Sequence, residues 1–147
     1  MTGTTDEPRR HLLDTHIWVW YVEGDDRRIP RRVRNVVEPA AERGEAIVSA
    51  ISVWEVGLLD ALGRLQLSAE IRAWTARALR LPGIRFKGLT PSVAIESTRL
   101  PGDVHRDPAD RILIATARVL AATLVTCDER ILDYGAQGHV NVLDARP

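Results

Sequence analysis

The apolar positions of this chain fall into short runs separated by longer stretches of helical periodicity. His11-Leu12-Leu13-Asp14 is a compact apolar run that stops at an acid, the pattern of a short buried strand. Thr15–Val22 follows as an aromatic-rich helical segment, and Gly24-Asp25-Asp26 breaks it. From Pro30 to Arg43, Val33, Val36, Val37, Ala40 and Ala41 recur at helical spacing with arginines on the other face, although Pro39 interrupts the pattern. Glu45–Ser49 reads as a second strand. Ile51–Leu62 reads as an apolar helix carrying Glu55 and closed by Gly63. Ser68 caps a further helix to Leu81, with Ile71, Trp74, Ala78 and Leu81 on one face, and Pro82-Gly83 stops it.

Ile84–Leu89 alternates as a strand does, and Thr90-Pro91 opens a helix to about Leu100 by the N-cap and proline-at-N1 pattern. After the Pro101-Gly102 turn, Asp107-Pro108 opens another helix. Ile112, Leu113, Ile114, Ala115, Ala117, Val119 and Leu120 make it apolar on most faces, as a packed interior helix should be. It gives way near Ala122 to a strand, Thr123–Thr126, that ends at Cys127-Asp128. Glu129–Leu132 is a turn or short helix, and His139–Leu143 a last strand. Short strands alternating with helices predict an α/β fold with a short, mostly parallel central sheet.

Size changes this picture little. The chain has 147 residues, enough for one domain over 1–147 with a sizeable core, and the polar residues 1–9 read as a loose N-terminal tail. No apolar run approaches the roughly 18 residues that span a bilayer, and the N-terminus lacks the apolar region of a signal peptide. A cytoplasmic protein without membrane contact is the expectation. One cysteine, Cys127, excludes an internal disulfide framework and a cysteine zinc cluster. Net charge is zero, so no global basic field announces nucleic acid. Lys87 is the only lysine; arginine elsewhere suits bidentate phosphate contacts, and is equally what a GC-rich coding sequence produces.

The acids change the picture more. Asp14 and Asp128 lie directly after strands, Glu55 one to two helical turns past the strand ending at Ser49, and Asp110 in the first turn of the helix that leads to the Thr123–Thr126 strand. In a parallel sheet the carboxyl ends of the strands face one crevice, where ligands bind. There the four acids would meet. Two unit charges 4 Å apart repel by about 4 kcal/mol at an effective dielectric near 20, so protons or a cation must relieve such a cluster. All-oxygen ligation suits Mg2+ or Mn2+, which orient a water and neutralise a phosphodiester transition state. Each acid also has an ordinary reading. Asp14, Asp107 and Asp128 would cap helices, Ser52 and Glu55 would form a capping box, and Asp110 would favour a helix dipole.

Four blocks, in order and across nearly the whole chain, carry a resemblance: Leu12-Leu-Asp-Thr-His-Ile-Trp18, Ser49-Ala-Ile-Ser-Val-Trp-Glu55, His105-Arg-Asp-Pro-Ala-Asp-Arg111 with Ile114-Ala-Thr-Ala117, and Leu124-Val-Thr-Cys-Asp128. Together they resemble the signature blocks of PIN-domain proteins, and within that superfamily the VapC-type toxins of bacterial toxin–antitoxin pairs. The resemblance implies a PIN-like three-layer fold and a Mg2+-dependent endoribonuclease. It also implies an RNA substrate, a cognate antitoxin that holds the toxin inactive, and a homodimer. It places the catalytic and metal-holding acids on Asp14, Glu55, Asp110 and Asp128, with Asp107 as an extra acid that joins the site or only caps. Thr15, Ser49, Thr126, Arg106 and Arg111 fall beside them as substrate-contact positions. His16 and His105 are read as structural or substrate-contacting rather than catalytic, and the run Arg27-Arg28, Arg31-Arg32, Arg34 as a solvated helix face or a contact to the RNA backbone.

Two other function classes share some of these features. An aspartate-based phosphate-handling enzyme also gathers acids at strand ends, but it needs a lysine near the phosphate, and Lys87 lies on a strand without matching context. A non-catalytic RNA- or partner-binding module would keep the acids for structure and show no dependence on divalent ions. The aromatic segment Ile17, Trp18, Trp20, Tyr21 and the Trp54–Leu59 stretch are expected in the core, with their edges available to a partner.

Overall fold

The computed structural model describes residues 10–104 and 106–147. Five parallel strands form a single sheet in the order β3-β2-β1-β4-β5. The elements run β1 (His11–Leu13), α1 (Thr15–Glu23), α2 (Arg31–Glu42), β2 (Ala46–Ser49), α3 (Ala50–Ala61), α4 (Ile71–Leu79), β3 (Ile84–Lys87), α5 (Pro91–Ser97), α6 (Pro108–Leu120), β4 (Thr123–Thr126), α7 (Glu129–Ala136) and β5 (Val142–Asp144). The sheet is parallel throughout, where the sequence predicts a mostly parallel one.

Alternation along the strands builds the three layers. Successive strand residues point to opposite faces, and the central strands bury both. Leu13, Val48 and Val125 face one core with Ile17, Trp18, Val33, Val37 and Trp74 from α1, α2 and α4. Leu12, Ile47 and Leu124 face the other with Val93, Leu113, Ile114, Ile131 and Tyr134 from α5, α6 and α7. Strands covered on both sides read as unbroken apolar runs, which is why β1 and β4 are legible.

Several boundaries differ from expectation. Helix α4 starts at Ile71 with Glu70 as its cap, because Glu70 Oε2 accepts from the N–H groups of Arg72 and Ala73. Ser68 instead accepts from Arg77 and donates its backbone N–H to Glu23. Helix α3 starts one residue early because Ser49, not Ser52, caps it: Ser49 Oγ accepts from Ile51 N–H at 3.1 Å. The capping-box reading of Ser52 and Glu55 is therefore displaced. Helix α5 stops at Ser97, and α7 continues to Ala136 rather than ending at Leu132. The last strand is Val142–Asp144, not His139–Leu143, since Val142 is the residue that registers with Leu124. Pro39 lies inside α2 without ending it.

Ile17 and Trp18 are buried and Trp20 and Tyr21 half-buried, as the aromatic segment predicts. The Trp54–Leu59 stretch follows its expectation at Val56, which is fully buried, but not at Trp54 and Leu58. Trp54 is 57% exposed and Leu58 42%, and with exposed Leu62 they form a row at i, i+4, i+8 along the outer side of α3. An apolar sequence cannot distinguish an inner from an outer stripe when both are apolar. Residues 1–9, expected as a tail, and His105 lie outside the described residues.

Candidate active site

The chain steps outward from β1 to β2 and β3, then returns to the other side of β1 to place β4 and β5. The β1–β4 boundary is thus the topological switch point, where the crevice of a parallel sheet opens at the carboxyl ends of the strands. Asp14 follows β1 and Asp128 follows β4, one on each side of that boundary. Helices α1, α3 and α7 begin directly after β1, β2 and β4, so their positive ends point at the same edge. These helix starts favour negative charge, which is the local reason carboxylates collect there.

The caps predicted as ordinary roles are present. Asp14 Oδ1 accepts from Thr15 N–H at 2.7 Å. Asp107 Oδ1 accepts from Ala109 and Asp110 N–H at 2.9 and 3.2 Å. Asp128 Oδ1 accepts from Arg130 and Ile131 N–H at 2.9 and 3.1 Å. Capping and a place in the site do not compete, because a carboxylate has about four acceptor positions and each cap takes only part of them. Capping anchors the carboxylate at the crevice.

Buried hydroxyls tie the acids to one another. Thr126 Oγ1 donates to Asp14 Oδ2 at 2.6 Å and accepts the backbone N–H of Asp128 at 3.0 Å, which links the two sides of the switch point. Thr15 Oγ1 lies 2.6 Å from Glu55 Oε1 and 2.9 Å from Ser52 Oγ, which links α1 to α3. Thr15, Ser49, Ser52 and Thr126 are all buried. The hydroxyls of Thr15 and Thr126 bond the acids, and those of Ser49 and Thr126 accept backbone N–H groups. Ser52 is the residue sequence reasoning misplaced. Its spacing three residues before Glu55 was the signal, but that spacing fits a capping box as well as a shared helix face, and only the packing of Thr15 separates the two.

The electrostatics converge on Asp110. Burial raises its carboxyl first, and the charges of Asp14, Asp107, Asp128 and Glu55 push it further, to about 8. Burial also lifts Asp14 above the ordinary range, against the Thr126 and Thr15 hydrogen bonds and the nearby His16. Glu55 is raised by burial, opposed by Thr15 and reinforced by Asp14 and Asp107. The five acids therefore share one electrostatic neighbourhood. Among the described residues, no three Asp, Glu, His or Cys side chains are drawn together as a closed set of metal ligands. An open ring of carboxylates still fits a hard divalent cation such as Mg2+, which keeps several of its waters and takes few direct protein ligands. The donor set is all oxygen.

The basic residues divide. Arg106 is exposed beside Asp107, and His16 is exposed in the first turn of α1. Arg111 donates its Nε to Ser97 O at 2.9 Å and staples α6 to the end of α5. In the arginine run, Arg34 pairs with Asp26 and Glu38, Arg32 holds the carbonyls of Asp144 and Arg146, and Arg28 lies over the Trp20 ring. Lys87 ends β3, two strands from β1 and so roughly 10 Å away at ordinary strand spacing. A phosphate-handling lysine would have to stand beside Asp14.

The PIN-domain family profile matches residues 11–137, from β1 to the end of α7. The chain belongs to the PIN-domain family. Ribonuclease VapC22 of Mycobacterium tuberculosis is 34% identical to this PIN domain over 123 residues, covering 84% of this chain and 90% of that protein. Among solved structures, the crystal structure of VapBC2 from Rickettsia felis bound to a DNA fragment from their promoter matches with a TM-score of 0.64 at 16% identity, covering 91% of this chain and 97% of that one. FitAcB from Neisseria gonorrhoeae matches with a TM-score of 0.63 at 22% identity, covering 92% and 97%. A toxin–antitoxin complex from Klebsiella pneumoniae matches with a TM-score of 0.60 at 18% identity, again covering 92% and 97%. At these identities the structural matches establish the fold, which is the expected PIN-like three-layer arrangement. No helix among the described residues is long and apolar enough to cross a membrane.

Proposed function

We propose that this PIN domain is an endoribonuclease that hydrolyses RNA phosphodiester bonds with a divalent cation, Mg2+ or Mn2+, held by Asp14, Glu55, Asp110 and Asp128. The observation that carries the reading is the gathering of Asp14, Glu55, Asp110 and Asp128 at the carboxyl edge of the sheet, where Thr126 bonds Asp14 and Thr15 bonds Glu55. The raised Asp110 carboxyl accords with that crowding of acids. The likeness to a protein named a ribonuclease supports the substrate class.

When bound, the cation supplies charge neutralisation at the phosphate and an acidified water. The chain's own residues do the rest. Asp14 and Asp128 are fixed by their caps and by Thr126, so their carboxylates do not need to reorganise when the substrate arrives. Glu55 is held by Thr15 at one oxygen. Asp110, whose carboxyl is raised by burial and the neighbouring acids, would hold the cation in its ionised form. Asp107, exposed and engaged as the α6 cap, is assigned mainly to fixing where that helix begins. Exposed Arg106 would contact the RNA backbone, its guanidinium meeting phosphate oxygens. His16 is assigned a supporting or substrate contact.

We place the protein in the cytoplasm as a homodimeric toxin neutralised by a cognate antitoxin, a reading supported by the toxin–antitoxin complex that shares its fold. Incubating the purified protein with single-stranded RNA tests the activity. Cleavage should appear with Mg2+, vanish with a chelator and fall when the cognate antitoxin is added. Cleavage that persists in excess chelator contradicts the reading.

A further inference from the structure

Helix α3 buries only Ser52 and Val56 within its length. Ser52 is fully buried, and burying a hydroxyl costs free energy unless it is bonded. The cap of α3 is already supplied by Ser49, so the helix start does not explain it. Its partner is Thr15 Oγ1, at 2.9 Å. Thr15 has one hydroxyl proton, and Glu55 Oε1 lies 2.6 Å away. An ionised carboxylate only accepts. The Thr15 proton therefore goes to Glu55, and Ser52 donates its own to Thr15.

We infer that Ser52 is a positioning residue: its donation to Thr15 sets the direction of the Thr15 hydroxyl, which in turn holds the Glu55 carboxylate in the crevice beside Asp14. Ser52 and Glu55 share a face of α3 three residues apart, with Thr15 of α1 wedged between them. The same contact thus fixes one acid and docks the two helices that follow β1 and β2. The inference rests on the metal reading above, and outer residues of this kind set ligand orientation and metal affinity.

The test is Mn2+ affinity of the full chain, read as free Mn2+ by electron paramagnetic resonance. Ser52→Ala should weaken binding about tenfold with an unchanged circular dichroism spectrum, and Ser52→Thr should restore it. Because Ser52 acts through Thr15, Ser52→Ala should have no further effect in a Thr15→Val background. If Ser52→Ala does not fold, Ser52→Cys keeps the volume with a weak donor and should lose affinity likewise. Unchanged affinity in the single variant, or an equal loss in both backgrounds, overturns the inference while leaving the metal reading intact. A wild-type protein that binds no Mn2+ overturns both.

Discussion

Thr126 Oγ1 donates to Asp14 Oδ2 at 2.6 Å, across 112 positions of sequence, and so joins the ends of the two strands that border the switch point. The same hydroxyl accepts the N–H of Asp128. Thr126→Val keeps the shape and removes both bonds. Losing a hydrogen bond to a charged group while stranding a partly buried N–H should cost about 2 kcal/mol of stability. It should also raise the Asp14 carboxyl further, since that bond opposes the effect of burial. Denaturant unfolding at neutral pH measures the first effect. Metal affinity, expected to fall about tenfold, reports the second.

Asp110 gives a pH signature. Its folded value lies near 8, above the ordinary 3.8, so between these values the folded state binds the proton that the unfolded state has lost. The stability of the metal-free protein should therefore decline as pH rises through that window, and Asp14 and Glu55, also raised, add to the slope. Asp110→Asn should flatten the decline and raise the metal-free melting temperature at pH 8. Below pH 8 a binding cation must displace the proton. Calorimetry at pH 7 in buffers of different ionisation enthalpy should thus show about one proton released per Mg2+ bound. No release would contradict the Asp110 assignment.

The two sides of the tryptophan pattern separate in stability. Trp74 is fully buried, stacked edge-on against Trp18 at 5.0 Å, and its Nε1 donates to Glu23. Trp74→Ala should cost about 3–5 kcal/mol. Trp54 is mostly exposed, and Trp54→Ala should change stability by less than about 0.5 kcal/mol. Comparing the two melting curves checks the placement of both helices.

Gly83 offers an independent check of the fold. It has φ of +82°, and a Cβ there would collide with the backbone carbonyl of Ala41. Gly83→Ala should cost about 3 kcal/mol or more, combining backbone strain with a contact that only main-chain movement relieves. Retained full stability would mean that the α4–β3 turn does not pack on the end of α2 as described.

Much of this was legible in the chain because parallel strands buried on both faces leave apolar runs, and an acid follows β1 at once and β4 two residues on. The order of the blocks carried the family. What the sequence hid was geometry on a scale finer than periodicity. Ser49 and Ser52 are both suited to cap α3, and only the packing of Thr15 decides between them. Ser68 and Glu70 compete in the same way for α4, and the outcome depends on Glu23 and Arg77 from elsewhere in the fold. The outer row of α3 read as core because Trp54 and Leu58 are as apolar as the residues that are buried. The short strand β5 starts three residues later than expected and ends one later, because Val140 and Val142 are equally apolar and only register with β4 selects Val142.

The most direct test of the central claim is the RNA cleavage rate of Asp14→Asn. Asparagine is as good a helix cap as aspartate, so α1 should keep its start and the protein its melting temperature. The charge at the crevice is lost. The account predicts that Mg2+-dependent cleavage falls by a hundredfold or more, about 3 kcal/mol of transition-state stabilisation. A folded Asp14→Asn protein that cuts RNA at the wild-type rate would contradict it.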